Sequence, residues 1–132
     1  MFSIKGTVSS GMNKASNFMN KDVYKKQYSE KLGFIPYTGT LNIKLKNNVT
    51  LDIENELKPY LKKIEGDEKF GDVFFLDAVL QPENININKK GAILFPVKTI
   101  YKTDTLEFIS DEKLRDRFSL VDGDQVIIKI DK

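Results

Sequence analysis

The sequence predicts a mainly β domain, a predominantly antiparallel sheet closed into a small barrel with short helices outside it, on three features. Most apolar segments are short and either alternate with period two or run unbroken for a few residues. Turn-forming residues such as Asn47-Asn48 and Asp122-Gly123 punctuate them. Helical spacing is confined to two or three short stretches, too few and too irregularly placed to build strand–helix–strand units. The 132 residues fit a single domain over residues 1–132, whose folding buries about two thirds of the unfolded surface.

Taken in order, "FSIKGTV" alternates as a first strand, and the small and polar residues of "SSGMNKASN" follow it as a loop. Asn20 can cap a helix with Asp22 in its first turn; Val23, Tyr24, Tyr28 and Leu32 carry the helical spacing, and Gly33 supplies the stop. Pro36 keeps its surroundings extended, Gly39 allows a tight entry, and "TLNIKLK" alternates as the next strand, ended by Asn47-Asn48 and followed by "VTLDI". Residues 54–65, with Leu57, Leu61 and Ile64 at helical spacing and Pro59 in the first turn, read as a helix. "DVFFLDAVL" is a nearly continuous apolar strand, and "AILFPV" is another reached through a polar "NKKG" turn. "TLEFIS" is a further strand, "DEKLRDRF" a short helix capped by Ser110 or Asp111, and "LVDGDQVIIKI" a turn and a closing strand.

Composition narrows the chemistry. With 21 Lys plus Arg against 19 Asp plus Glu, the net charge of +2 gives no surplus for sequence-independent binding of nucleic acid or a membrane surface. The absence of Cys excludes disulfides, thiolate metal sites and a cysteine nucleophile, and the absence of His excludes the serine-protease type of triad and the commonest general base. The remaining oxygen donors suit hard cations and phosphates. The opening "MFSIKGTVSS" lacks an apolar leader core and no stretch approaches the length of a membrane span, so a cytoplasmic protein is expected.

Alternation places Leu41, Ile43 and Leu45 on one face of their strand and Thr40, Asn42 and Lys44 on the other. A solvated face is the plain reading of the polar set. Thr and Asn at i and i+2 also project a hydroxyl and an amide oxygen side by side, a geometry suited to one hard cation. In "DEKLRDRF", Leu114 and Phe118 dock the helix and leave Lys113, Arg115 and Arg117 to solvent or to an anion that a guanidinium can grip with two hydrogen bonds. Glu107 and Thr99 lie on strand-like segments where a solvent-facing position is the ordinary expectation. No Walker A, Rossmann or protein-kinase signature occurs.

Across nearly the whole chain, "GFIPYTGTLNIKL", "GAILFPVKT", "LEFIS" and "KLRDRFSLVDGDQVIIKI" resemble, in order and spacing, the archaeal CTP-dependent riboflavin kinases. The resemblance implies a six-stranded Greek-key barrel of the cradle-loop kind that transfers the γ-phosphate of CTP to riboflavin, giving FMN and CDP with Mg²⁺. It carries metal binding to Thr40 and Asn42 and flavin contacts to Thr99 and Glu107. Nucleotide contacts fall on Glu112, Lys113, Leu114 and Arg115, and on the loop Gly11, Met12, Asn13, Lys14, Ala15 and Ser16. That loop departs from the family's G-x-G-E-[GA] pattern, with Asn13 in place of the second Gly and Lys14 in place of the acidic residue. No residue is assigned as the catalytic base. A monomer with neither nucleic acid nor membrane as partner is expected. Two alternatives remain open: a flavin or nucleotide carrier without transfer activity, and a DNA-binding barrel, since "LVDGDQV" also resembles cradle-loop domains of AbrB type.

Overall fold

The period-two segments do form strands, and the strands close on themselves. The computed structural model describes residues 2–10, 22–37, 39–46, 51–52, 58–66, 72–96 and 102–130. Its elements are β1 (Phe2–Ser9), α1 (Asp22–Leu32), β2 (Leu41–Leu45), β3 (Leu51–Asp52), β4 (Lys62–Ile64), β5 (Val73–Pro82), β6 (Lys89–Pro96), β7 (Lys102–Thr103), β8 (Thr105–Ile109), α2 (Leu114–Arg117) and β9 (Gln125–Ile130). The sheet runs β4-β5-β6-β8-β2-β1-β9, and a further pairing of β9 with β5 shuts it into a six-stranded antiparallel barrel. The pairs β2–β8 and β5–β9 join strands that are not consecutive in the chain, as a Greek-key path requires.

Alternation sorts each strand into an inward and an outward set. Ile4 and Val8 of β1, Leu41, Ile43 and Leu45 of β2, Leu76, Ala78 and Leu80 of β5, Ile93 and Phe95 of β6, Leu106 and Phe108 of β8, and Val126, Ile128 and Ile130 of β9 fill the interior. Leu114, Phe118 and Leu120 join the same cluster from α2 and the chain after it, so the two apolar residues four apart dock the helix as their spacing predicts. Closure needs glycine at Gly91: a Cβ there would lie 2.1 Å from the Ile109 carbonyl oxygen and 2.6 Å from the Phe108 ring. Lys89 and Lys90 are likewise in β6, so the expected "NKKG" turn is strand from Lys89 onward. Eight paired positions along β5, from Val73 opposite Pro96 to Leu80 opposite Lys89, outweigh the polarity of these residues.

A second apolar layer lies outside the barrel. Tyr24, Tyr28 and Leu32, one helical face at spacing four, cover Ile64, Val73, Phe75, Ala92, Leu94 and Ile109. Full burial of such side chains contributes about 1.5–3 kcal/mol each. Gly33, at φ 79°, ends α1 in the left-handed conformation expected of it. The Gln27 amide exchanges two hydrogen bonds with the backbone of Glu65 (2.7 and 2.8 Å), and Lys31 donates to the Lys63 carbonyl at 2.8 Å, tying α1 to β4.

Two expected helices differ. Within the predicted helix of residues 54–65, Lys58–Tyr60 is a single 3₁₀ turn and Lys62–Ile64 is a strand paired with β5; residues 54–57 lie outside the described residues. Ile64 reaches the outer layer from this edge strand, so its apolar spacing from Leu61 was not helical in origin. The helix in "DEKLRDRF" is only Leu114–Arg117; its N-cap is Lys113, with extended backbone and no capping side chain, in place of Ser110 or Asp111. Ser110 is engaged elsewhere, its hydroxyl donating to the Lys90 carbonyl at 3.0 Å. The proposed Asn20 cap lies outside the described residues.

Candidate functional site

On the outward side of β2 and β8, directly beside the apolar layer, three oxygen-bearing side chains converge. The register places Asn42 opposite Glu107, and Glu107 opposite Leu94 of β6. Thr40, just before β2, donates its hydroxyl to Glu107 Oε1 at 3.0 Å. Asn42 is 3% exposed and Glu107 1%, whereas Lys44, next on the same face, is exposed. The solvated-face reading therefore fails at these two positions: alternation fixed which way they point, but not that the outward side would be covered there.

Burial gives the cluster its chemical meaning. Asn42 Oδ1 is buried without a hydrogen-bond partner, a state that costs about 1–3 kcal/mol unless a bound group compensates it. The Thr40 hydroxyl spends its proton on Glu107, leaving its oxygen lone pairs to accept. An amide oxygen, a hydroxyl oxygen and a carboxylate make a donor set for a hard cation such as Mg²⁺, and with no Cys or His in the chain a soft-metal site is excluded. Among the described residues no three acidic side chains converge, so any cation held here is held mainly by neutral oxygens.

The segment 110–117 is fastened at both ends. Lys89, at the start of β6, makes ion pairs with Asp111 (2.6 Å) and Glu112 (3.1 Å), and Glu112 continues to Arg117 Nε at 3.1 Å. The Asp111 contact, as a hydrogen bond first of all, raises the Lys89 ammonium pKa and lowers that of the Asp111 carboxyl. Arg117 also lies over the Phe118 ring, 5.2 Å from its centroid. At the other end, Arg115 Nη2 donates to the Ser9 carbonyl (3.0 Å), Ser10 Oγ (3.2 Å) and Asp122 Oδ1 (2.7 Å). The hydrogen bond from Arg115, and secondarily that from Ser10, hold the Asp122 carboxyl below the usual carboxylate range. Of the three cations expected at solvent or on an anion, only Lys113 shows no ion pair among the described residues.

The structure thus brings Thr40, Asn42 and Glu107 together and sets Glu112, Lys113, Leu114 and Arg115 at the barrel end beside β1. Leu114 is buried in the core, so it can offer a ligand only its backbone. Gly11, Met12, Asn13, Lys14, Ala15, Ser16 and Thr99 lie outside the described residues. Sequence reasoning missed Lys89, Ser10 and Asp122, whose partners lie from 7 to 112 residues away; only the placement of Asp122 in the Asp-Gly turn next to a strand carried any signal. A separate recess of about 230 Å³ between residues 82–85 and the stretch 118–125 contains none of Thr40, Asn42 or Glu107.

Comparison with known proteins adds an independent line. The family model labelled CTP-dependent riboflavin kinase, described as a domain of unknown function, DUF120, matches residues 8–130. A riboflavin kinase of Methanosphaera stadtmanae is 64% identical over 132 residues, covering 100% of both chains. Riboflavin kinases of Methanobrevibacter smithii and Methanothermobacter thermautotrophicus are 40% and 39% identical, covering 96% and 92% of this chain and 98% and 93% of their own.

Proposed function

Since the chain belongs to the CTP-dependent riboflavin kinase family and is therefore a kinase, we propose that it transfers the γ-phosphate of CTP to the terminal ribityl hydroxyl of riboflavin, yielding FMN and CDP. One observation carries the site assignment: the buried, unpartnered Asn42 Oδ1, beside the Thr40–Glu107 hydrogen bond. Thr40 and Asn42 would hold Mg²⁺ through their oxygens. When bound, the cation supplies neutralisation of charge on the β- and γ-phosphates.

The protein's own residues supply position. Glu107, with one carboxylate oxygen already committed to Thr40, orients the ribityl hydroxyl; Thr99 is its partner in flavin binding. The segment Glu112, Lys113, Leu114 and Arg115 and the loop Gly11, Met12, Asn13, Lys14, Ala15 and Ser16 form the nucleotide site between them. As the new oxygen–phosphorus bond forms, the γ-phosphorus bond to the bridging oxygen breaks; CDP leaves with that oxygen, and the attacking hydroxyl loses one proton. Such in-line transfer depends chiefly on alignment and charge stabilisation, so a chain without histidine can perform it. The enzyme is taken to work in the cytoplasm as a monomer, with neither nucleic acid nor membrane as partner.

The test is incubation of the protein with riboflavin, Mg²⁺ and each nucleoside triphosphate in turn, with FMN followed by chromatography. FMN formed with CTP, and not without divalent cation, is expected. Bound flavin without product would instead indicate a carrier, and a salt-sensitive DNA shift alone a DNA-binding barrel.

A further inference from the structure

A guanidinium near a nucleotide segment invites assignment as a phosphate ligand, but the surroundings of Arg115 speak against it. Of its five N–H donors, the two on Nη2 already face three acceptors, the Ser9 carbonyl, Ser10 Oγ and Asp122 Oδ1, so this nitrogen is committed to the protein. Asp122 lies 2.7 Å away, neutralising the charge a phosphate would seek and adding a negative charge that would repel it. Ser10 completes the knot by donating to both Asp122 carboxylate oxygens at 2.8 Å.

What the knot fastens is the end of β1. The turn bearing Asp122 is bonded there as well, Gly123 N–H donating to the Val8 carbonyl at 2.9 Å and Val8 N–H to the Asp124 carbonyl at 2.8 Å. Ser9, whose carbonyl Arg115 holds, is the ladder partner of Asn42, and Asn42 is the partner of Glu107. One lateral row therefore runs from Arg115 through Ser9 and Asn42 to Glu107, and the two strand spacings between Ser9 and Glu107 amount to about 10 Å.

We propose that Arg115 is a positioning residue, not a phosphate ligand: with Asp122 it locks the segment 112–115 to β1, and so fixes the bound nucleotide relative to the Asn42–Glu107 oxygen cluster. This rests on the kinase reading above. The two roles predict opposite signs for Asp122→Asn. A strut loses one of its anchors and nucleotide binding weakens; a phosphate ligand loses a competing anion and binding tightens.

The experiment compares wild type, Arg115→Met, Asp122→Asn and the double variant by steady-state kinetics, thermal unfolding, and calorimetric binding of cytidine mono-, di- and triphosphate. Either single change is expected to raise the nucleotide KM about tenfold through misplacement, while the KM for riboflavin and the Tm stay close to wild type. The three nucleotides should lose affinity equally, and the double variant should be no worse than Arg115→Met. A loss that grows with phosphate number, or tighter triphosphate binding by Asp122→Asn, would overturn the proposal. So would a lowered Tm with both KM values raised together, the mark of a merely structural contact. Wild type that makes no FMN would remove the kinase reading itself, whereas active wild type with a phosphate-graded loss removes only the role given to Arg115.

Discussion

Inside the barrel, Ile43 of β2 and its partner Leu106 of β8 join a cluster of apolar side chains; one residue along on the outward side, Asn42 and Glu107 are as well buried and polar. The inner pairs cost nothing to desolvate and hold the strands together. The outer pair leaves an amide oxygen unsatisfied. Two faces of the same two strands thus do different work: one stabilises the fold, and the other holds a polar group in a state that a bound group would make favourable. Tyr28, beneath α1, sharpens the contrast, because its hydroxyl is also buried and unpartnered but lies in an otherwise apolar layer.

The largest expected effect falls on the outer face. Asn42→Leu should reduce FMN formation to background while the midpoint of denaturant unfolding holds or rises, since an unsatisfied buried oxygen is removed; retained turnover would dissolve the distinction between the faces. Phe108→Ala, on the inner face, should do the reverse. It should cost about 3–5 kcal/mol in denaturant unfolding, with activity lost only in proportion to the unfolded fraction.

A smaller effect is expected at Tyr28→Phe. Burial, and secondarily the neighbouring Tyr24, push the Tyr28 hydroxyl pKa well up from its ordinary value near 10. A raised acid pKa means that the folded state favours the protonated group, so its contribution is complete below about pH 10 and declines as pH rises further. The phenylalanine variant should therefore be neutral to about 1 kcal/mol more stable at pH 7 and resist alkaline unfolding above pH 10 better than wild type, as read by circular dichroism. An alkaline midpoint that stayed the same would show that the hydroxyl ionises as readily in the folded protein as in the unfolded chain.

Least affected should be Lys89→Met. Lys89 lowers the Asp111 carboxyl, a contribution present at neutral pH and lost as pH falls below the ordinary carboxylate value, but Asp111 is about half exposed and solvent screens the pair. The loss should be well under 1 kcal/mol by thermal unfolding at neutral pH, disappearing as the pH falls through and below the ordinary carboxylate range. A larger loss would place the segment 110–117 among the elements that hold the barrel, not merely among those the barrel positions.

Strands proved legible because their signal is local: alternation in "LNIKL" and "QVIIKI", and the apolar run in "VFFLDAVL", needed no partner to be read. Residues 58–64 misled because Leu61 and Ile64, three apart, fit a helical face as well as a turn followed by an edge strand, and only the pairing with β5 decides between them. Thr40, Asn42 and Glu107 were singled out by residue type and by resemblance as site residues, while strand alternation alone read them as solvated positions. Their burial depends on which strand lies beside which.

By itself the sequence determined the mainly β character, the inward sets of each strand and the oxygen-only chemistry, because side-chain direction and donor type are properties of single residues and their immediate neighbours. Only the tertiary structure decided that Asn42 faces Glu107 across a ladder, that Tyr24 and Tyr28 seal an outer layer, and that Arg115 Nη2 is engaged by Ser9, Ser10 and Asp122. Those facts join residues as much as 106 positions apart, which no local pattern of side chains encodes and only the pairing of distant strands brings together.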